Sequence, residues 1–232
     1  MNKSSLIWKM SMLAFSLGIW SFFMGSWTMG LGVIALITVH EVGHMIAARR
    51  LGLKASLPEF TPVGAFVEVS GVKSLADETY IKLAGPLVGG LASIATMAVG
   101  FWLSLPAMFE VGLFGVFLNL INLIPLDPLD GGALGQSFGR FAWIFGAFVF
   151  AIVFWMLYQV SAFNLVFGAV IALGALQSIA VRNQARKLEP AYFAGSWRFS
   201  HFFFYLLTGA ALYAIYANPA LAVNLAILLG AR

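Results

Sequence analysis

His40, Glu41 and His44 stand in the string His-Glu-Val-Gly-His. Two imidazoles four residues apart lie on one face of a helix, about 40° apart around its axis. Both rings can therefore reach one zinc ion, and the glutamate between them can act on a water that the metal polarises. A hydrolytic zinc site also needs a third protein ligand and an open fourth position. Candidates are few, because the chain holds nine acidic residues and three histidines. Asp127 and Asp130 fall in N-L-I-P-L-D-P-L-D-G-G, residues 122–132, and His201 is the remaining histidine. For either aspartate the plain alternative is a helix-end cap. Gly131 and Gly132 would let the backbone turn sharply and approach a metal. His201, close to Arg198, reads more simply as an unliganded interfacial histidine.

The elements that must position these residues are unusually apolar. Of 232 residues 61% are hydrophobic and 9% charged, against about 25% charged in a typical soluble domain. The mean hydropathy is +0.93. A soluble protein of this composition would expose patches large enough to aggregate, so the chain reads as an integral membrane protein. Its net charge of +4 comes from basic residues set between apolar runs, with no aromatic-interleaved basic patch. Nucleic acid is therefore not an expected partner; the lipid bilayer is. The absence of cysteine excludes disulfides. Lys3 and Lys9 before an apolar run resemble a signal peptide, but no small-x-small cleavage site follows, and a retained first span is expected.

Apolar segments of spanning length fall near residues 10–27, 29–48, 81–103, 111–125, 141–158 and 162–181. A last apolar region, 202–229, carries Asn218-Pro219 in its middle and is either one kinked helix or two short ones. The expected fold is an all-α polytopic membrane protein of roughly seven or eight transmembrane helices, with a short β-strand or hairpin element after the second helix. That element lies in residues 53–80, where Glu59, Glu68, Asp77 and Glu78 mix with prolines and glycines. Residues 65–69 read as a strand. The expected organisation is a first span at 1–28, a catalytic core at 29–132 and C-terminal helices at 133–232.

With the N-terminus in the cytoplasm, Lys3, Lys9, Arg49, Arg50, Lys54, Lys73, Lys82, Arg140, Arg182, Arg186, Lys187 and Arg198 all fall on the cytoplasmic side. That asymmetry obeys the positive-inside rule and predicts a multi-pass protein of the cell membrane. His40 and His44 lie near the cytoplasmic end of the second span. The fourth span runs the same way, so Asp127 and Asp130 emerge at the same depth. Ionisable groups at membrane depth are expensive and usually functional. Between the two motifs, Gly85 and Gly89 have the spacing of close helix packing.

The H-E-V-G-H helix, the Ala84-Gly85-Pro86 step and the N-x-x-P-x-x-P-L-D-G-G ending together resemble the site-2 protease family of intramembrane zinc metalloproteases. The likeness covers roughly residues 29–132. It implies that His40, His44 and Asp130 bind Zn2+, that Glu41 is catalytic, and that Asn122 holds the substrate backbone or the developing oxyanion. Gly89 stands where family members often carry asparagine. No PDZ-like or CBS-like module is visible, so the family's usual routes to regulation are either absent or supplied by a regulatory partner in trans.

The expected activity is therefore zinc-dependent endopeptidase cleavage in or near transmembrane segments of membrane-protein substrates. A helical substrate must unwind before attack, and its freed backbone groups would cost several kcal/mol apiece in lipid unless the enzyme bonds them. The strand-like stretch 60–69, with Phe66 and Val67, could bond them by strand addition. A transporter with a metal site would spread ionisable residues over several spans, which this chain does not. A non-catalytic scaffold would have lost the glutamate or a ligand, and none is lost. A zinc protease using glutamate as third ligand would have only Glu189 to offer beyond Asp130.

Overall fold

The computed structural model describes residues 3–62, 64–138, 144, 146–148 and 199–228. Apart from residues 144 and 146–148, the expected fifth and sixth spans lie outside the described residues, as do Glu189 and Arg198. The described chain is mainly helical. In order it forms α1 (Lys3–Met24), α2 (Trp27–Arg50), four short strands β1 (Lys54–Ala55), β2 (Glu59–Thr61), β3 (Gly64–Phe66) and β4 (Val69–Ser70), then α3 (Leu75–Trp102), α4 (Pro106–Asn122) and α5 (Gly131–Phe138). Two further helices, α6 (Phe199–Ala217) and α7 (Ala220–Leu228), follow.

Among the described residues, Leu6–Met24, Trp27–Arg50 and Leu75–Trp102 are long and apolar enough to cross a membrane, and Pro106–Asn122 and Phe203–Ala217 are shorter apolar helices. The chain divides into two compact units, residues 1–71 with 84–120 and 207–232, and residues 72–83 with 121–206.

In the first unit α1 packs along α2. Gly25, at φ +65°, lets the chain reverse between them, and the Ser26 N–H closes α1 on Ser21 O at 3.0 Å. Lipid supplies no hydrophobic drive for helix association, so contact depends on close packing. Gly30 provides it: a Cβ there would lie 2.7 Å from Ser21 Cα. Trp20, Val33 and Ile34 form the buried centre, covered by Leu17, Met24, Ile37, Phe60, Phe114 and Leu118. Outward-facing residues are just as apolar: Ile7, Trp8 and Phe22 are 66%, 64% and 81% exposed. Such a surface suits lipid rather than water.

Helix α2 stops at Gly52, whose φ of +74° is the left-handed conformation of a helix C-terminus. Gly52 N–H donates to Arg49 O and Leu53 N–H to Ala48 O, the paired bonds that close such an end. Two nested antiparallel hairpins follow: β1 pairs with β4, and β2 with β3 in the register Glu59–Phe66, Phe60–Ala65, Thr61–Gly64. Phe60 packs into the α1–α2 core, and Lys9 of α1 pairs with Glu59 at 2.6 Å.

In the second unit α3 begins earlier than its hydropathy predicts, at Leu75 rather than near residue 81. Ser74 caps it, accepting from Asp77 N–H at 3.1 Å while its hydroxyl donates to Asp77 Oδ2 at 2.9 Å. Asp77 and Glu78 then favour the positive end of the helix dipole. A cap and first-turn acids thus explain the charges that disguise this stretch as loop. Beyond α4 the chain makes successive tight turns, Leu126 N–H to Ile124 O and Leu129 N–H to Leu126 O, that bury Leu123, Ile124, Leu126 and Leu129. The Tyr205 hydroxyl of α6 donates to Leu123 O at 2.5 Å.

The strand read at 65–69 is split. Phe66 ends β3, Val67 lies between β3 and β4, and Val69 belongs to the other hairpin. The last apolar region is two helices, broken where Pro219 follows Asn218, because proline cannot continue the bonding ladder.

Candidate metal centre

Val33, Leu36, His40, Gly43, His44 and Ala47 are the buried stripe of α2, repeating at three- and four-residue steps. The two histidines therefore face inward by the same periodicity that buries the valine and leucine. Their rings lie edge to face with centroids 4.7 Å apart, and the two Nε2 atoms are 3.0 Å apart. Two zinc–nitrogen bonds at a tetrahedral angle separate their nitrogens by about 3.3 Å. The pair is nearly at that separation already.

Room for the rings comes from α3. A Cβ on Gly85 would collide with the His44 ring and fall 2.8 Å from His40 Nε2. One turn on, a Cβ on Gly89 would lie 2.5 Å from Asn119 Oδ1 and 2.9 Å from His40 Cβ. The predicted close packing at these glycines is thus packing of backbone against imidazole and carboxamide. Gly89 leaves space that Asn119 of α4 fills.

Asp130 ends the turns that follow α4, directly before α5. Gly131 lies against the preceding loop, where a Cβ would come within 2.5 Å of Ile124 O. Asp130 is 7% exposed, and its Oδ1 accepts from Lys82 Nζ at 3.1 Å. His40, His44 and Asp130, all buried, form a group that could hold a metal ion: each offers one ligand atom, and these atoms lie within 4.8 Å of one another. Two imidazole nitrogens and one carboxylate oxygen are a donor set that suits zinc with a coordination position to spare. Glu41 is likewise buried, at 7% exposure.

Among the other predicted residues, Asp127 is buried but is not in that group. It packs on the start of α5, where a Cβ on Gly132 would lie 2.6 Å from Asp127 N. Asn122 is the last residue of α4 and half-buried. Phe66 is exposed and Val67 half-buried, with β3 in contact with α2. His201 lies in α6.

Sequence reading missed Asn119 and the pairing of Lys82 with Asp130. A carboxamide in an otherwise apolar span is the kind of polar residue that membrane burial makes costly, and that signal was available for Asn119. Lys82 was legible only as an orientation charge, since its pairing with Asp130 spans 48 residues.

Comparison with known proteins agrees with this centre. Residues 28–110 match the model of peptidase family M50. Over 80 residues the chain is 36% identical to "Probable zinc metalloprotease EGY1, chloroplastic" of Arabidopsis thaliana, a stretch covering 32% of this chain and 15% of that protein. The rice protein of the same name (Oryza sativa subsp. japonica) is 38% identical over 80 residues, 14% of its length. "Probable zinc metalloprotease EGY2, chloroplastic" of the same subspecies is 32% identical over 74 residues, again 14% of its length. The matched part of this chain thus spans only about a seventh of these curated relatives. Residues 28–110, the stretch that carries both histidines and Glu41, are thus similar to peptidase family M50.

Proposed function

We propose that this chain is an intramembrane zinc endopeptidase that hydrolyses peptide bonds in or near the transmembrane segments of membrane-protein substrates. The observation that carries the reading is the compact buried group of His40, His44 and Asp130, with Glu41 next to His40 on the same helix. A zinc ion held there would supply a Lewis acid and lower the pKa of a water to about 7. Glu41 takes the proton of the attacking water and returns it to the leaving amine. Asn122 offers its carboxamide to the substrate backbone or to the oxyanion that develops on the scissile carbonyl.

Phe66 and Val67 belong to the part that receives substrate. A two-stranded hairpin leaves N–H and C=O groups along its edges, and an unwound substrate segment needs such partners. In this reading residues 1–28 are the first span, 29–132 the catalytic core and 133–232 the C-terminal helices of a protein with roughly seven or eight spans. The N-terminus and the catalytic end face the cytoplasm of a cell membrane, because the positive charges collect there.

The deciding experiment is cleavage of a panel of transmembrane peptides in lipid by the purified chain and its Glu41→Gln variant, with metal analysis of both. Glu41→Gln should retain zinc and lose about 100-fold or more in rate. Equal cleavage by the two proteins would overturn the assignment.

A further inference from the structure

Asn119 lies in the last turn of the apolar helix α4 and is 3% exposed. Its Nδ2 donates to Gly115 O at 2.7 Å, and its Oδ1 is 2.8 Å from His40 Nδ1. The first bond decides the second. A peptide carbonyl only accepts, so the carboxamide turns its NH2 towards Gly115 and its oxygen towards His40. A carboxamide oxygen also only accepts, so Nδ1 must be the donor. In a neutral imidazole that leaves the lone pair on Nε2. Nε2 is the atom that lies 3.0 Å from His44 Nε2.

The nook around this carboxamide is tight. Gly89 and Gly115 both lie against it or its neighbours, and Ser93, whose hydroxyl donates to Gly89 O at 2.7 Å, would sit 3.1 Å through its Cβ from a Cβ on Gly115. Neither side of the Asn119 amide can rotate without losing a bond in a medium where water cannot replace it.

We infer that Asn119 is a positioning residue of the metal centre: it fixes the tautomer and ring plane of His40 so that Nε2 presents its lone pair to the ion. The inference rests on the reading of His40 as a zinc ligand. Partners behind a metal-bound histidine typically contribute 10- to 100-fold to metal affinity. An asparagine buried only for packing would contribute to folding and leave zinc affinity alone.

The test is zinc affinity of the full chain in detergent or lipid, measured by competition with a chelator. The proteins are wild type, Asn119→Ala, Gly89→Ala, His40→Ala, and each of the first two variants combined with His40→Ala. Gly89→Ala keeps every polar group but pushes on Asn119 Oδ1, so it serves should Asn119→Ala fail to fold. Asn119→Ala should weaken zinc binding by about 10- to 100-fold, and Gly89→Ala in the same direction. Neither should weaken it further once His40 is gone. Wild-type zinc affinity in both single variants would overturn the inference while sparing the zinc reading, as would losses that add to that of His40→Ala. A His40→Ala protein that binds zinc like wild type would overturn both.

Discussion

Lys82 Nζ donates to Asp130 Oδ1 at 3.1 Å, an ammonium at the rim of the proposed centre holding a carboxylate that is only 6% exposed. A carboxylate buried that deeply needs a positive neighbour. Without metal, Lys82 is such a neighbour; with metal bound, the ion is a second and stronger one. Lys82→Met should therefore lower the thermal stability of the metal-free protein by about 1 kcal/mol, a figure reduced for the lysine's partial exposure. The deficit should shrink when zinc is saturating, because the ion then supplies the positive neighbour that Asp130 has lost. Thermal unfolding with and without zinc reads both numbers, and a deficit of the same size in both states would assign Lys82 a role independent of the ion.

Gly85 has a sharper consequence. In an exposed helix position Gly→Ala stabilises by about 1 kcal/mol. Here the added methyl would press into both imidazoles, 2.8 Å from His40 Nε2. Gly85→Ala should lose zinc affinity by at least about tenfold, on the scale set by disturbed histidine ligands, with helix content retained. Full zinc occupancy at wild-type affinity would mean that α3 does not wall the site.

Phe66 and Val67 test the substrate side. Phe66 closes the β2–β3 register opposite Glu59, and Val67 lies just beyond it. Proline at either position removes a backbone donor. One lost hydrogen bond is worth about 0.5–1.5 kcal/mol, so cleavage of a transmembrane substrate should fall by between about twofold and tenfold, while zinc content stays at the wild-type level. Turnover unchanged in both proline variants would dismiss strand addition.

How much of this was legible beforehand depends on distance along the chain. His40, Glu41 and His44 were readable because one helix sets their geometry, and four-residue spacing has one meaning there. The hairpin region was readable as strand, yet its division was not: β3 and β4 differ only in which partner strand they meet, and the turns decide that by pairing residues 3–7 apart in one hairpin and 14–16 apart in the other. Asn218-Pro219 left one helix or two open, since proline kinks as well as breaks, and the chain breaks. Asn119 could have been noticed as polar in oil, but its partner is 79 residues away. Pairings at that range are written in tertiary packing, not in local pattern.

Asp127 and Asp130 pose the choice that spacing alone leaves open, since both acids end the same motif and both are buried, at 5% and 7% exposure. Asp130 belongs to the group with His40 and His44, whereas Asp127 packs on Gly132 at the first turn of α5. An acid beside a helix N-terminus is stabilised by the dipole and by unsatisfied N–H groups, typically by about 0.3–1 kcal/mol and more where buried. The two isosteric variants should therefore fail in different ways. Asp130→Asn removes the proposed anionic ligand and should lose zinc by more than about 100-fold, on the scale at which even indirect partners cost 10- to 100-fold. Asp127→Asn should keep zinc and unfold at lower temperature, losing about 0.3–1 kcal/mol with the charge beside the helix N-terminus. Chelator competition and thermal unfolding on the two proteins separate these outcomes, and a zinc loss in Asp127→Asn as large as in Asp130→Asn would move the third ligand from one acid to the other.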